Sequence, residues 1–487
     1  MQHTVLAQPV VNVTKSGNKL GLHIPNLSVT NETSRVVRIT IQSDSDTASF
    51  LAKASEWVCI PTRIRWSLGI KGGQAVRVLD LRIIEPHTPQ PIAIVGDKID
   101  MLSLIPATTN RGYRLYVDNY EDQEPRLRIW YYHERGAARQ IELKRYVDIT
   151  KLGQLLGLLQ AEGDKTYSRV AFKNSSIREH ADFVSALHDL GLSIPISSRC
   201  TFNPKKSSFE NVREYSEAYK KATGITFSTY DKMMDMKGAI AAYTHVRSAI
   251  LANILFFAID GICSRSFQNE NLRQNFLAKL LTGDGTLDAR KTARRLDVRV
   301  TIVDANTESL RDYAAILSRE GFKAHVHRER IRVRAYCTWL NLLKLYKIGA
   351  FRTNKNWIKL VCSIMIALKG TQNQGYRRIQ QLSNLRRITS NDVCIRYGIG
   401  RRAANLWIDT MRDLGLMQKL AQRAPCNYNS YVVTRRGREI SELLDTIERD
   451  YRAICLERQT EDSPENILEK IKVKGKLSST EQRAEAG

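Results

Sequence analysis

The chain reads as a multidomain α+β protein, on three observations. Short alternating runs fill residues 1–146, a helix–strand–helix–strand arrangement occurs twice in the middle, and helices with one short strand pair make up the end. Its 487 residues leave room for about two to four domains, and 43% hydrophobic content is enough for several cores. The formal net charge of +25 points to a polyanionic partner, nucleic acid most simply, although an anionic lipid surface would meet the same requirement. No segment is long and apolar enough to span a bilayer; Ala249 to Cys263 comes nearest, but it is short and contains Asp260. Met1 to Val10 lacks a charged start and a long apolar stretch, so no secretory leader is expected. The eight cysteines form no CxxC pair, which argues against zinc and a disulfide framework and for a reducing, cytoplasmic setting, nucleoid-associated if DNA is the partner.

In the first region, Val10 to Val13, Val36 to Ile41, Ala75 to Ile84 and Arg126 to Tyr132 have strand chemistry. Val58-Cys59-Ile60-Pro61-Thr62-Arg63-Ile64-Arg65-Trp66-Ser67-Leu68-Gly69-Ile70-Lys71-Gly72-Gly73-Gln74 resembles the AbrB-type swapped-hairpin DNA-binding domain, and Ser16 to Pro25 resembles the opening half of the same unit. That family builds its fold from two chains, so the resemblance implies two half-units pairing within one chain. Its first copy lacks the later Leu-Gly-Ile. A structural β-domain without DNA contact accounts for the same residues.

The middle region, 147–352, has halves at about 147–266 and 271–352. In the first half, Leu152, Leu155, Leu156 and Leu159 form one apolar stripe of a helix. Gly157 and Ala161 lie four apart on a neighbouring line, where small residues admit a second helix. The run ends in Glu162-Gly163. In the second half Leu277, Leu280 and Leu281 form the stripe, Ala278 and Gly283 are the small residues, and the run ends in Asp284-Gly285. Either run alone is most simply a helix closed by a glycine in the left-handed conformation. Two carboxylates brought together at helix C-termini would repel each other and the helix dipoles, and a divalent cation removes that cost.

The residues after each run repeat as well. Tyr167 to Asn174 alternates as a strand and precedes a helix with Phe183, Leu187 and Leu190; Val298 to Asp304 does so before a helix with Tyr313, Ile316 and Leu317. The paired runs resemble the LAGLIDADG motif of homing endonucleases, intron maturases and related DNA-binding proteins, in its single-chain, two-motif form. The resemblance implies a pseudo-twofold core with a helix pair and saddle-shaped sheets in the DNA major groove, acting as a monomer that behaves as a pseudo-dimer. It implies Glu162 and Asp284 as catalytic acids and, with Gly163 and Gly285, as the site of Mg2+ or Mn2+. Reading-face candidates are Arg169, Lys173 and Asn174 in the first half, and Arg299, Arg328, Arg330, Arg332 and Arg334 in the second. The run from Arg328 to Arg334 alternates, so one face of that strand is expected to be Arg-rich. Lys279 stands where the motif usually has Gly, and Gln160 and Thr282 stand where an acid is common.

Between the halves, Glu210 to Thr223 is expected to be a helix, Tyr243 to Ser248 a strand, and the stretch to Ile262 an apolar helix. Residues 353–372 read as a helical linker and 373–455 as a winged helix-turn-helix, with Ser390 capping its second helix. Arg401, Arg402 and Asn405 then stand near the start of a recognition helix. Residues 456–487 are charged, poor in aromatics and expected to be disordered. The start at Met1 and the end in Glu485-Ala486-Gly487, without His-Asn, suggest a free-standing protein rather than an intein. The resemblances imply a metal-dependent, site-specific double-stranded DNA endonuclease. From sequence alone, a non-cleaving transcriptional regulator on the same scaffold, or a maturase whose partner is intron RNA, remains open.

Overall fold

The computed structural model describes residues 10–17, 19–24, 36–53, 57–121, 123–131, 139–264, 268–291, 296–327, 329, 331–369, 374–421, 429–459 and 462–471, with the backbone alone at 63, 369, 374 and 375. The chain is α+β with mainly antiparallel sheets and divides into two compact units, Met1–Leu272 and Arg273–Gly487.

In the first unit the chain begins with β1 (Val10–Ser16), β2 (Lys19–His23), β3 (Val36–Ser43), β4 (Asp46–Lys53), β5 (Trp57–Cys59), α1 (Thr62–Ser67) and β6 (Ala75–Ile84). These strands form one sheet in the order β4-β3-β6-β1-β2-β5. Alternation puts Val13, Leu22, Ile39, Ile41, Val58 and Val76 on one buried side. The two segments singled out by sequence lie side by side: the β1–β2 hairpin pairs with β5 through β2 and with β6 through β1. Asn18 and Pro25 lie outside the described residues.

A second group of strands comes next: β7 (Ile94–Val95), β8 (Lys98–Asp100), β9 (Tyr116–Glu121), β10 (Pro125–Tyr131), β11 (Arg139–Lys144) and β12 (Tyr146–Asp148). The strand β12 pairs with β8 and runs straight into α2 (Ile149–Glu162), whose N-cap is Asp148. Arg126 Nη2 donates to the carbonyl of Gly191 and the Lys144 N–H to that of Leu190. The expected boundary at 146 is therefore crossed by a strand, a cap and several hydrogen bonds. The remaining elements are β13 (Val170–Asn174), α3 (Ile177–Asp189), β14 (Ser197–Phe202), α4 (Phe209–Thr223), β15 (Phe227–Lys232), β16 (Ile240–Val246) and α5 (Ala249–Cys263). Serine side chains cap α3, α4 and α5, and Gly224 closes α4 in the left-handed region.

The helix α6 (Glu270–Gly283) leads into the second unit. Beyond it come β17 (Gly285–Lys291), β18 (Leu296–Val303), α7 (Thr307–Arg319), β19 (Lys323–His327), β20 (Arg332–Tyr336), α8 (Trp339–Lys347) and α9 (Asn356–Lys369). The end carries α10 (Gln374–Leu382), α11 (Ser390–Tyr397), α12 (Arg401–Asp413), β21 (Met417–Lys419), β22 (Tyr431–Val433) and α13 (Arg435–Glu457). No helix among the described residues is long and apolar enough to cross a membrane.

Three further expectations fail against this fold. Of the expected linker, 353–372, the described part is core: in α9, Leu360, Val361, Cys362 and Ile364 are fully buried, and the helix packs on β17, α8 and α13, while 370–372 lie outside the described residues. A helix apolar on most sides belongs inside a core. Residues 464–471 of the expected disordered tail are helical, with Ile467 and Leu468 buried; 472–487 lie outside the described residues. Thr389, not Ser390, caps α11, in a capping box with Asp392.

Candidate nucleic-acid interface

Each unit contains one sheet with a helix-covered side and an open side. In the second unit the order is β17-β18-β20-β19, and α6 delivers the chain into β17. In the first unit it is β13-β16-β14-β15. Here α4 and β15 are inserted between β14 and β16, and β15 adds a parallel edge strand. Without that insert, β13-β16-β14 repeats β18-β20-β19. The strand corresponding to β17 is reduced to one bridge, Gly163 with Phe172, where the second unit pairs Gly285 with Ile302. Sequence reading placed one strand between the helices of the second half; β17, with alternating Thr286-Leu287-Asp288-Ala289, makes it two.

The two junctions share a glycine packed on a carbonyl of its own helix, while the last helical hydrogen bond falls one position earlier in the second. The Gly163 N–H bonds to the carbonyl of Leu159 at 3.0 Å, and the Asp284 N–H to that of Leu280 at 3.0 Å. Gly163 is extended, at φ −77° and ψ 149°, and neither it nor Gly285 takes the left-handed conformation expected of them. Their reason is steric. A Cβ on Gly163 would stand 2.3 Å from the Leu159 carbonyl oxygen, and one on Gly285 2.4 Å from that of Leu281. Glu162 and Asp284 each immediately precede this contact.

Glu162 is half-buried, and its carboxyl is held above the usual range, first by burial and then by the charge of Glu179. Among the described residues no group of three or more His, Cys, Asp or Glu is disposed to hold a metal ion. Of the small residues assigned to helix packing, Gly157 and Ala278 are buried, Ala161 is half-buried and Gly283 is exposed. Thr282 accepts the Phe351 N–H at 3.0 Å through its hydroxyl, while its carbonyl accepts Asn354 Nδ2 at 2.7 Å. The Gly285 carbonyl accepts Asn356 Nδ2 at 3.3 Å.

On the open face of the first unit, Lys173 lies opposite Tyr243 and Tyr243 opposite Arg199. Arg199 stacks over the Tyr243 ring at 4.4 Å and Arg169 at 5.6 Å. Arg169 Nη2 and Nε reach Asp164 Oδ2 at 2.6 and 3.0 Å. Burial would raise the Asp164 carboxyl, but Arg169 and Thr166 hold it below the usual range. His245 is pushed down by burial and then by Arg247, Arg169 and Arg199. Lys173 is exposed. Asn174 is not on the open face: its Oδ1 accepts the Ser176 N–H at 2.8 Å and its carbonyl holds His180, so it shapes the turn into α3. The sequence reading missed Arg199, Tyr243 and His245, although Arg199-Cys200-Thr201-Phe202 alternates polar and apolar.

On the open face of the second unit, Thr301, Arg334 and His325 share one row and Arg332 and His327 the next. Val300, Ile302, Val333 and Ala335 fill the buried side. Arg334 Nε and Thr301 Oγ1 are shielded from water with no hydrogen-bond partner among the described residues. Arg299 Nη2 pairs with Asp297 Oδ2 at 2.5 Å and stacks over Tyr336 at 4.8 Å. The expected Arg-rich strand from Arg328 to Arg334 is interrupted. The strand β19 stops at His327, Ile331 sits in a turn at φ 46°, and β20 starts at Arg332. Arg328 and Arg330 lie outside the described residues.

In the last module, α11 and α12 are joined by Gly398, at φ 60°, and Gly400, and β21 pairs with β22. Ala404, Trp407 and Ile408 are buried, which leaves Arg401, Arg402, Asn405 and Leu406 exposed on the first turns of α12. Residues 422–428, between the two strands, lie outside the described residues.

No family model matches the chain, and no curated protein matches it. Among solved structures, it is similar to I-DmoI in complex with DNA and Mn, at 15% identity and a TM-score of 0.26, over 42% of this chain and 98% of that one. It is also similar to full-length DUF199/WhiA from Thermatoga maritima, at 11% identity and 0.26, over 62% of this chain and 92% of that one. A third is I-SmaMI bound to uncleaved DNA target in the presence of calcium ions, at 11% identity and 0.25, over 46% and 92%.

Proposed function

We propose that this protein binds double-stranded DNA and cuts it site-specifically in a reaction that depends on Mg2+ or Mn2+. The observation that carries the reading is the repeated junction, in which the glycine after Glu162 or Asp284 packs against a carbonyl of its own helix and pairs with a sheet that has a basic, aromatic face. Such a face suits the major groove, where strands present side chains to base edges. The net charge of +25 supports a polyanionic partner.

Glu162 and Asp284 are the proposed metal ligands, with the main chain at Gly163 and Gly285 beside them. Hard carboxylate oxygens fit Mg2+ or Mn2+, and the raised Glu162 carboxyl marks an anion that its protein surroundings leave under-compensated. When bound, the metal would lower the pKa of water and stabilise charge on the scissile phosphate. Arg169, Lys173, Arg299, Arg332 and Arg334 would hold the duplex, and α12 would add contacts through Arg401, Arg402 and Asn405.

The test is incubation of purified protein with host genomic DNA, with Mg2+ or Mn2+, against Glu162→Gln with Asp284→Asn. Discrete metal-dependent cuts lost in the double variant are expected. The second reading is a regulator that binds and does not cut, favoured by the exposed basic start of α12 as a further DNA-reading helix. Tight footprints without cuts, the same in both proteins, would establish it instead.

A further inference from the structure

Arg169 and Arg299 occupy corresponding positions. Arg169 lies three residues before Phe172, the partner of Gly163, and Arg299 three residues before Ile302, the partner of Gly285. Both meet an aspartate through the same side of the guanidinium, Nε and Nη2: Asp164 at 3.0 and 2.6 Å, and Asp297 at 3.4 and 2.5 Å. Both lie over a tyrosine from the neighbouring strand, at 5.6 and 4.8 Å.

The supporting groups come from different places. Asp164 follows α2, whereas Asp297 is on β18 itself; Tyr243 lies opposite Lys173, whereas Tyr336 lies opposite Arg299. Different neighbours hold the same side chain in the same way, so the shared feature is the clamped arginine. A phosphate is served by a flexible charge as well as by a fixed fork, so fixing the arginine is no requirement there. Reading a base edge needs a fixed planar fork, and ordering it in advance lowers the cost of binding. The aspartates take the Nε–Nη2 side, which leaves the Nη1–Nη2 edge unused by them. That edge matches the O6 and N7 acceptors of guanine in the major groove. The two side chains keep 40% and 32% of their surface exposed, enough to present it.

We infer that Arg169 and Arg299 each read one guanine, so that guanine recurs at matched positions in the two halves of the DNA target. This inference rests on the protein binding double-stranded DNA, as proposed. The experiment is selection from a randomised duplex library by the full chain, compared with Arg169→Ala, Arg299→Ala, Asp164→Asn and Asp297→Asn. Wild type should enrich guanine at two positions. Each alanine variant should lose one of them, by about tenfold in enrichment, because the donor fork is gone, whereas a lost phosphate contact would weaken all sequences alike. Each asparagine variant should weaken the preference at the same position as its arginine partner. Circular dichroism confirms that the variants fold. Enrichment that survives in both alanine variants would mean that the arginines meet phosphate alone and would overturn the inference while leaving DNA binding intact. Wild type that binds no duplex at low salt would overturn both.

Discussion

Gly285 lies so close to Leu281 that a Cβ on it would stand 2.4 Å from the Leu281 carbonyl oxygen and 2.8 Å from its Cα. Both atoms are helix backbone and cannot move aside as a side chain would. Gly163 meets Leu159 in the same way. Gly163→Ala and Gly285→Ala should each destabilise by about 1–3 kcal/mol, the usual cost of overpacking at a rigid site. Urea unfolding checks this, and a loss below about 0.5 kcal/mol at both sites would refute the steric account.

His180 is fully buried and neutral, its pKa lowered by burial to about 4. Nε2–H donates to the Asn174 carbonyl at 3.0 Å, and Nδ1 accepts from the Thr244 hydroxyl at 2.8 Å. From pH 6.5 down to about 4, the unfolded chain takes up a proton that the folded chain refuses. Stability from this group is therefore full above 6.5 and falls as the pH drops through that window, by up to about 3 kcal/mol. His180→Gln should be less stable at pH 7 but show a shallower acid limb, measured by urea unfolding across pH.

Glu162 shifts the other way. With its folded pKa above the unfolded value, burial of the ionised form works against the fold, and stability falls as pH rises through the folded pKa. Glu162→Gln should melt at the same temperature as wild type or higher at pH 7, while losing cleavage. A variant that melts clearly lower would mean that the carboxylate serves the fold instead.

Much of this was legible because periodicity reports burial. The stripe of Leu152, Leu155, Leu156 and Leu159 and the strands of the first region need only local pattern. The glycines show its limit: Gly163 and Gly285 look like left-handed caps from their place after a helix, but their constraint is a carbonyl one turn back. Asn174 looked like a reading residue because alternation alone does not distinguish a sheet face from the turn that ends it. The role of α9 was hidden for a related reason, since an apolar helix after a domain reads as a connector unless its partners are known.

That helix carries its own prediction. Asn354 and Asn356 donate to the carbonyls of Thr282 and Gly285, and Lys359 Nζ to that of Leu287 at 3.2 Å. Residues 354–359 thus brace the strand that begins just after Asp284. Ile364→Ala, at a fully buried position of α9, should cost about 2–5 kcal/mol of stability, as core truncations do. Denaturant unfolding that leaves the midpoint unchanged would return the segment to the status of a linker.

The last prediction separates the contribution of α12 from that of the sheets. Arg401 and Arg402 stand exposed on its first turn, and Asn405 one turn on. If this helix enters a groove, Asn405 meets base edges and the arginines meet phosphate or base. Arg402→Ala should weaken binding to all duplexes alike and lower the slope of log affinity against log salt by about 1 if it neutralises one phosphate. Asn405→Ala should leave that slope unchanged and relax preference at one base pair, worth about 1–3 kcal/mol. Binding titrations between low and physiological salt, on the selected target and on a scrambled duplex, measure both effects. An unchanged slope and unchanged preference in the two variants would remove α12 from the DNA interface and leave it as a surface for another protein.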